Sequence, residues 1–348
     1  MLMQKKMTSL KTSFALASAL FASTAAFAQA IPVSNEAELK TALSDTSADI
    51  VLTQDITLSG EWIPIGTKEA PYMGTFDGQG HAIKGLTITT KADNLGFFSF
   101  IGSTATVKNV SFTGAKVLGN KQAAIVAGQA ENATISNVYV SGYVTGYDHV
   151  GTIVGDARGD ANVGADGTTI SNCVSTAAAF SSNYQAGGIA GWTNLGVFEY
   201  NVAYGAVTAP GGGAAGICSM IDNNGHASFI GNVSAIPYAK GANNRTSGIL
   251  GWKNGSGCAI VDDDQNLSSD ATQYFVNGNL TAAADIKFDE NNEGINGNVT
   301  PAADLKTAAT YTTAGFSADV WNLVDGQYPT LKTQAAMENA IYTAQAPA

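Results

Sequence analysis

Apolar and polar residues alternate in short runs along most of this chain, and the runs end on Gly, Asn or Asp. Such a pattern predicts β-strands joined by tight corners, not helices. The runs also repeat. An Asn followed at once by an apolar residue occurs at Asn109-Val110, Asn137-Val138, Asn172-Cys173, Asn201-Val202, Asn232-Val233 and Asn266-Leu267, with spacings of 28, 35, 29, 31 and 34 residues. A second phrase, apolar residues closed by Gly, recurs as AAIVAG, VGTIVG, GGIAGW and SGILGW, with GAAGICSM as a variant lacking the closing Gly.

A period of this length marks a solenoid, because one unit cannot bury its own apolar face and has to stack on the next. The expected fold is therefore all-β, a single parallel β-solenoid whose coils occupy about residues 94–278. Extra residues in the third, fifth and sixth units are expected in loops on one side. Stacked coils place equivalent residues about 4.8 Å apart. Asn109, Asn137, Asn172, Asn201, Asn232 and Asn266 should then form one structural ladder at a corner, amide to amide, with the apolar neighbour filling the interior.

The ends differ from the middle. NEAELKTAL, from Asn35 to Leu43, has a capping Asn and apolar residues at helical spacing, which predicts a short amphipathic helix laid over the edge of the first coil. After Ser269 the repeat fades, and a terminal cap follows: a short helix from Ala302 to Ala309, then an edge hairpin in which Trp321, Leu323, Tyr328 and Leu331 alternate. The solenoid domain is expected over 29–332, with a weakly ordered tail over 333–348.

The first 28 residues carry Lys5, Lys6 and Lys11, an apolar stretch from Phe14 to Phe27, and the small-residue ending Ala26-Phe27-Ala28. That predicts a signal peptide cleaved after Ala28, and hence a chain that is secreted, displayed on the cell surface or held in the periplasm. Losing three lysines takes the net charge from −11 to −14. With its few cations scattered, the chain has no basic stripe for nucleic acid, and no later segment is apolar enough for membrane insertion. Of the three cysteines, Cys173 and Cys218 lie in apolar runs and are expected to be small buried hydrophobes, with a Cys218–Cys258 bridge as the alternative.

At this point the repeat phrases resemble the GLUG repeats of bacterial exported proteins. GTFDGQGHAIKGLTI with LGFFSFIG resembles their first coil, and GFSADVWNLVDGQYPTLK their terminal segment, so the likeness covers about residues 49–332. The resemblance implies a right-handed parallel β-helix and an adhesin-like secreted or cell-surface protein.

Parallel β-helices also carry polysaccharide lyases and hydrolases, so acidic clusters are candidates for chemistry. Asp262-Asp263-Asp264, with Asp222 one coil earlier, is the densest. Asp262 and Asp264 are the candidate Ca²⁺ ligands, although successive strand residues face opposite ways and a solvated turn is the plainer reading. Arg158, flanked by Asp156 and Asp160, is the cation placed to meet a carboxylated sugar; an ordinary surface ion pair is the alternative. Trp192 and Trp252 stand at equivalent places two coils apart, about 10 Å along the axis. Their rings could stack on alternate sugars of a glycan, with Tyr184 and Asn183 as polar partners, or pack over the corner. No H-E-x-x-H, G-x-S-x-G elbow, P-loop or dinucleotide fingerprint occurs. The expectation is a non-catalytic, cofactor-free binding module for a glycan or a host or cell-surface protein. The alternatives are a pectate-lyase-like enzyme using Asp222, Asp262 and Asp264, and a structural spacer.

Overall fold

The computed structural model describes residues 30–337 apart from 161, 163–165, 287 and 289–292. The leader expected over 1–28, and the tail beyond 337, lie outside the described residues.

The chain winds as a parallel β-solenoid. Strands of successive coils pair in parallel throughout a 26-stranded and a 5-stranded sheet. Among the described residues, antiparallel pairing is confined to the hairpin of Gln273–Val276 with Asn279–Thr281, the hairpin of Trp321–Asn322 with Thr330–Leu331, and a Leu250–Ile295 bridge. Equivalent residues stack into interior columns. Val107, Ile135, Ile170, Phe198 and Phe229 form one, its last two rings stacked at 4.9 Å. Val126, Ile153, Ile189, Ile217 and Ile249 line the interior from the apolar-Gly phrase, and all five are fully buried. Side chains of similar shape piled in register give each coil a preformed apolar surface on which the next condenses.

The Gly closing that phrase is required by contact. At Gly155 a Cβ would run into the backbone of Gln122, and at Gly191 into the backbone of His149, because each coil doubles back tightly there. In the variant GAAGICSM, Ser219 occupies the same place, and the chain opposite is Gly213; the Ser219 hydroxyl donates to the Gly213 carbonyl at 2.8 Å. The missing glycine is thus compensated across the pinch.

The corner holds two Asn ladders instead of the single one expected. Asn109, Asn137 and Asn172 adopt left-handed backbone with φ of 52°, 55° and 51° and are half-buried. In the later coils that conformation passes to Tyr200, Gly231 and Gln265, one residue ahead of each Asn. Asn201, Asn232 and Asn266 are consequently turned inward and buried. The slip is visible in the register, where Tyr139, two residues after its Asn, aligns with Val174, and Val174 with Val202, one residue after its own. The inward ladder is continuous: Asn201 Nδ2 donates to Asn232 Oδ1 at 3.0 Å and Asn232 Nδ2 to Asn266 Oδ1 at 3.1 Å. The outward one joins Asn137 to Asn109 at 3.0 Å, while Asn172 accepts the Trp321 indole N–H instead.

At the N-terminal end the helix Glu36–Ala42 forms as expected, with the Asn35 side chain accepting from the Glu38 backbone and Leu39, Ala42 and Leu43 buried against the first coil. The C-terminal helix begins later than expected, at Ala308–Thr313, after a 3₁₀ turn at Asp304–Lys306. Together with the hairpin it lies along the flank of the solenoid and runs back toward the first coils. Phe316 meets Tyr200, Trp321 meets Asn172, and the Ala335 backbone donates to Ser111 Oγ at 2.8 Å. This strap covers Tyr139, Val174, Val202 and Val233, outward-facing residues that would otherwise be an apolar stripe in water. All three cysteines are free and buried, so the Cys218–Cys258 alternative does not form, and burial pushes the Cys173 and Cys218 thiols up to about 12.

Candidate functional site

The proposed aromatic platform is not exposed. Trp192 and Trp252 do fall on one outward column with Met220 between them, but they are only 2% and 4% exposed. The chain has two arginines, and each lies over one of these rings: Arg158 at 4.9 Å from the Trp192 centroid and Arg245 at 3.6 Å from that of Trp252. His149 also stacks on Trp192 at 5.6 Å and 7°. The ring faces a sugar would need are occupied by cations. The two indoles pack over the corner.

Arg158 is held from below. Its Nη2 and Nε donate to Asp156, a fully buried carboxylate that also receives His149 Nδ1 at 2.6 Å. Burial disfavours a charged imidazole at His149, but the Asp156 hydrogen bond and the charges of Asp156 and Asp148 outweigh it, and its pKa is raised. Burial likewise raises the Asp148 carboxyl. A raised His149 means that the folded chain holds this proton more tightly than the unfolded one. The resulting stability is complete below the unfolded imidazole's pKa of about 6.5 and fades as pH rises through the folded value. His149 has φ of 51°, which Asn tolerates. His149→Asn is expected to flatten the fall in Tm as pH rises above about 6.5, the unfolded imidazole's value; an unchanged fall would remove His149 as its source.

The acidic cluster is dispersed. Asp262, Asp263 and Asp264 lie on the last long strand, Ala259–Asp264, in register with Ser228, Phe229 and Ile230. Alternation sends Asp262 and Asp264 outward, whereas Asp263, although exposed, stands in register with Phe229 of the interior column and accepts from Asn266 at 2.7 Å. Asp222 stands at the far end of the strand Cys218–Ile230, bonded to Asn254. Among the described residues, no three His, Cys, Asp or Glu side chains gather as a metal site. Asp222 is thus separated from Asp262 and Asp264, which share one face of their strand. The strand Ala259–Asp264 pairs on one side only among the described strands, and like charges along it oppose pairing with another chain.

Two concave sites among the described residues bear on binding. A groove of about 550 Å³ runs along the axis over several coils, lined by Asn120, Thr145, Tyr147, Phe180, Ser181 and Pro210 among others. Thr145, Phe180 and Thr208 form its floor as one column, and Tyr147 is 47% exposed at its edge. Asn183 stacks on Tyr147, its N–H donating to the Tyr147 carbonyl at 3.1 Å, and Tyr184 beside it is 43% exposed. Asn183 and Tyr184 follow directly on the groove residues Ser181 and Ser182. Tyr147, Phe180 and Pro210 were not singled out in the sequence; the available signal was an aromatic directly after the strand-ending Gly146. The second site is a cleft of about 470 Å³ bounded by Lys68, Met73, Phe100, Gln129, Glu131 and Arg158 among others.

No family model matches the chain. A stretch of 111 residues, 32% of this chain, is 35% identical to halomucin of Haloquadratum walsbyi, and it spans 1% of that protein's length. Among solved structures, a Bacteroides ovatus protein provisionally described as an immunoglobulin A1 protease superposes with a TM-score of 0.74 at 22% identity, over 87% of this chain and 92% of that one. An IgA1 protease superposes over 90% of this chain and 26% of its own at 15% identity, with a TM-score of 0.44 that carries no argument. Identity this low conveys architecture alone, and that architecture is the all-β parallel β-solenoid described above.

Proposed function

We propose that this chain is an exported, GLUG-type surface or extracellular binding module that holds a neutral glycan in the Tyr147 groove without cleaving it. The leader-like N-terminus and the local likeness to halomucin support an extracellular setting. The observation that carries the binding reading is the make-up of the groove. Hydroxyl and amide groups of Asn120, Thr145, Ser181, Ser182 and Thr208 surround the apolar surfaces of Tyr147, Phe180 and Pro210, and no Asp, Glu, His or Cys lines it. Aromatic faces with hydroxyl and amide neighbours suit the apolar and hydroxyl faces of a sugar, and Lys91 is the one charged side chain that lines the groove. A hydrolytic centre elsewhere finds little support, since the ring nitrogens of His149 are turned to Asp156 and Asp148.

Tyr147→Ala should weaken retention of neutral oligosaccharides by about tenfold, roughly 1.4 kcal/mol, with an unchanged β-sheet circular dichroism spectrum. A glycan array and titration calorimetry on the purified chain measure it. Unaltered affinity in the variant, or release of cleaved saccharide by the wild type, would refute the reading.

A further inference from the structure

The geometry points to a second site: the cleft between Lys68 and Arg158 binds a uronic-acid-containing oligosaccharide lying along the solenoid axis. It differs from the Tyr147 groove in place and in ligand charge.

The chain is acidic, with 17 Lys and Arg against 28 Asp and Glu, yet this cleft sets two cations against one lining carboxylate, Glu131. Lys68 is exposed and makes no ion pair among the described residues. Arg158 belongs to a built arrangement. Fully buried Asp156 takes its Nε and Nη2 from beneath and the Trp192 ring supports its plane, while the side chain stays 34% exposed and borders the cleft. A guanidinium anchored on one edge offers its remaining N–H groups in a fixed direction, at little cost in side-chain entropy when a carboxylate arrives. Glu131, its register neighbour one coil earlier, does not bridge to it.

The rest of the cleft suits a sugar better than an inorganic anion. Gln129 donates to Asn94 at 2.7 Å, which leaves amide groups of both at the wall, and Phe100, Pro71 and the half-exposed Met73 supply apolar surface for ring C–H faces. Lys68 precedes, and Phe100, Gln129 and Arg158 occupy, successive coils. The two cations therefore stand about three coil spacings apart, roughly 14 Å, the reach of a short oligosaccharide bearing more than one carboxylate.

The test is titration calorimetry of the purified full chain with oligogalacturonate, its methyl ester and polyglutamate. Oligogalacturonate alone should bind, and Lys68→Gln and Arg158→Gln should each weaken it by about tenfold or more. Arg158→Gln also strips a partner from buried Asp156; if it unfolds, exposed Lys68→Gln decides alone. Tyr147→Ala should leave uronate affinity unchanged, so failure of this site and failure of the neutral-glycan groove are distinguishable. The assignment is overturned by absent oligogalacturonate binding, by equal binding of the ester or of polyglutamate, by wild-type affinity in Lys68→Gln, or by loss of uronate binding in Tyr147→Ala.

Discussion

Trp321→Ala is expected to destabilise the protein by about 3–5 kcal/mol, read as a lower urea midpoint with a near-constant slope. Trp321 is 1% exposed, packs on Phe316 at 4.8 Å, and donates its indole N–H to Asn172 Oδ1 at 3.0 Å. Removing it empties the centre of the strap and leaves Asn172 without its acceptor role. The cluster it holds includes Tyr139, Val174, Val202 and Val233 of successive coils, so the cost should extend to solenoid residues remote in sequence. Hydrogen exchange should then show lost protection at those coils. A loss under about 1 kcal/mol would mean that the strap rests on the flank without stabilising it.

Asn232→Ala should be at least as costly, at roughly 3–6 kcal/mol, whereas Asn137→Gly should change stability by about 1 kcal/mol or less. Asn232 is fully buried; its Oδ1 accepts from the Asn201 backbone and side chain, and its Nδ2 donates to the Phe198 carbonyl at 2.8 Å and to Asn266. Truncation strands several buried polar groups at once, each worth about 1–3 kcal/mol. Asn137 is half-buried with φ of 55°, a conformation Gly adopts freely, and its Oδ1 has no partner to lose. Thermal or urea denaturation of the two variants gives the comparison directly. Equal losses would show that the two halves of the corner are energetically alike, contrary to the register slip.

That contrast marks where the sequence stops being informative. The solenoid and its first helix were legible because both depend on periodicity and capping, which are local properties of the chain. The division of the Asn corner was not, since Asn followed by an apolar residue reads identically at Asn137-Val138 and Asn232-Val233. Only the residue ahead differs, and Tyr200, Gly231 and Gln265 give no common signal for a left-handed corner. The tryptophans failed as an exposed platform for a similar reason. Arg158 precedes Trp192 by a full coil, so the guanidinium that covers the ring is distant in sequence and adjacent only after stacking. The groove around Tyr147 was missed because its parts come singly from several coils, with no motif in any one of them. The flank position of the terminal hairpin was equally hidden: alternation in Trp321, Leu323, Tyr328 and Leu331 announces a strand pair but not the surface it lies on.

The hydrogen bond between Ala335 and Ser111 joins positions 224 residues apart. A solenoid without such a link behaves as a row of nearest-neighbour couplings, able to fray coil by coil from either end. Here the final segment reaches back over the row, so peeling away the last coils also uncovers the early ones, and loss of order at one terminus is felt at the other. The array becomes a closed cooperative unit. Its closing step must await synthesis of the strap and pay the loop entropy of a long-range contact, which makes strap docking a slow step relative to the stacking of neighbouring coils.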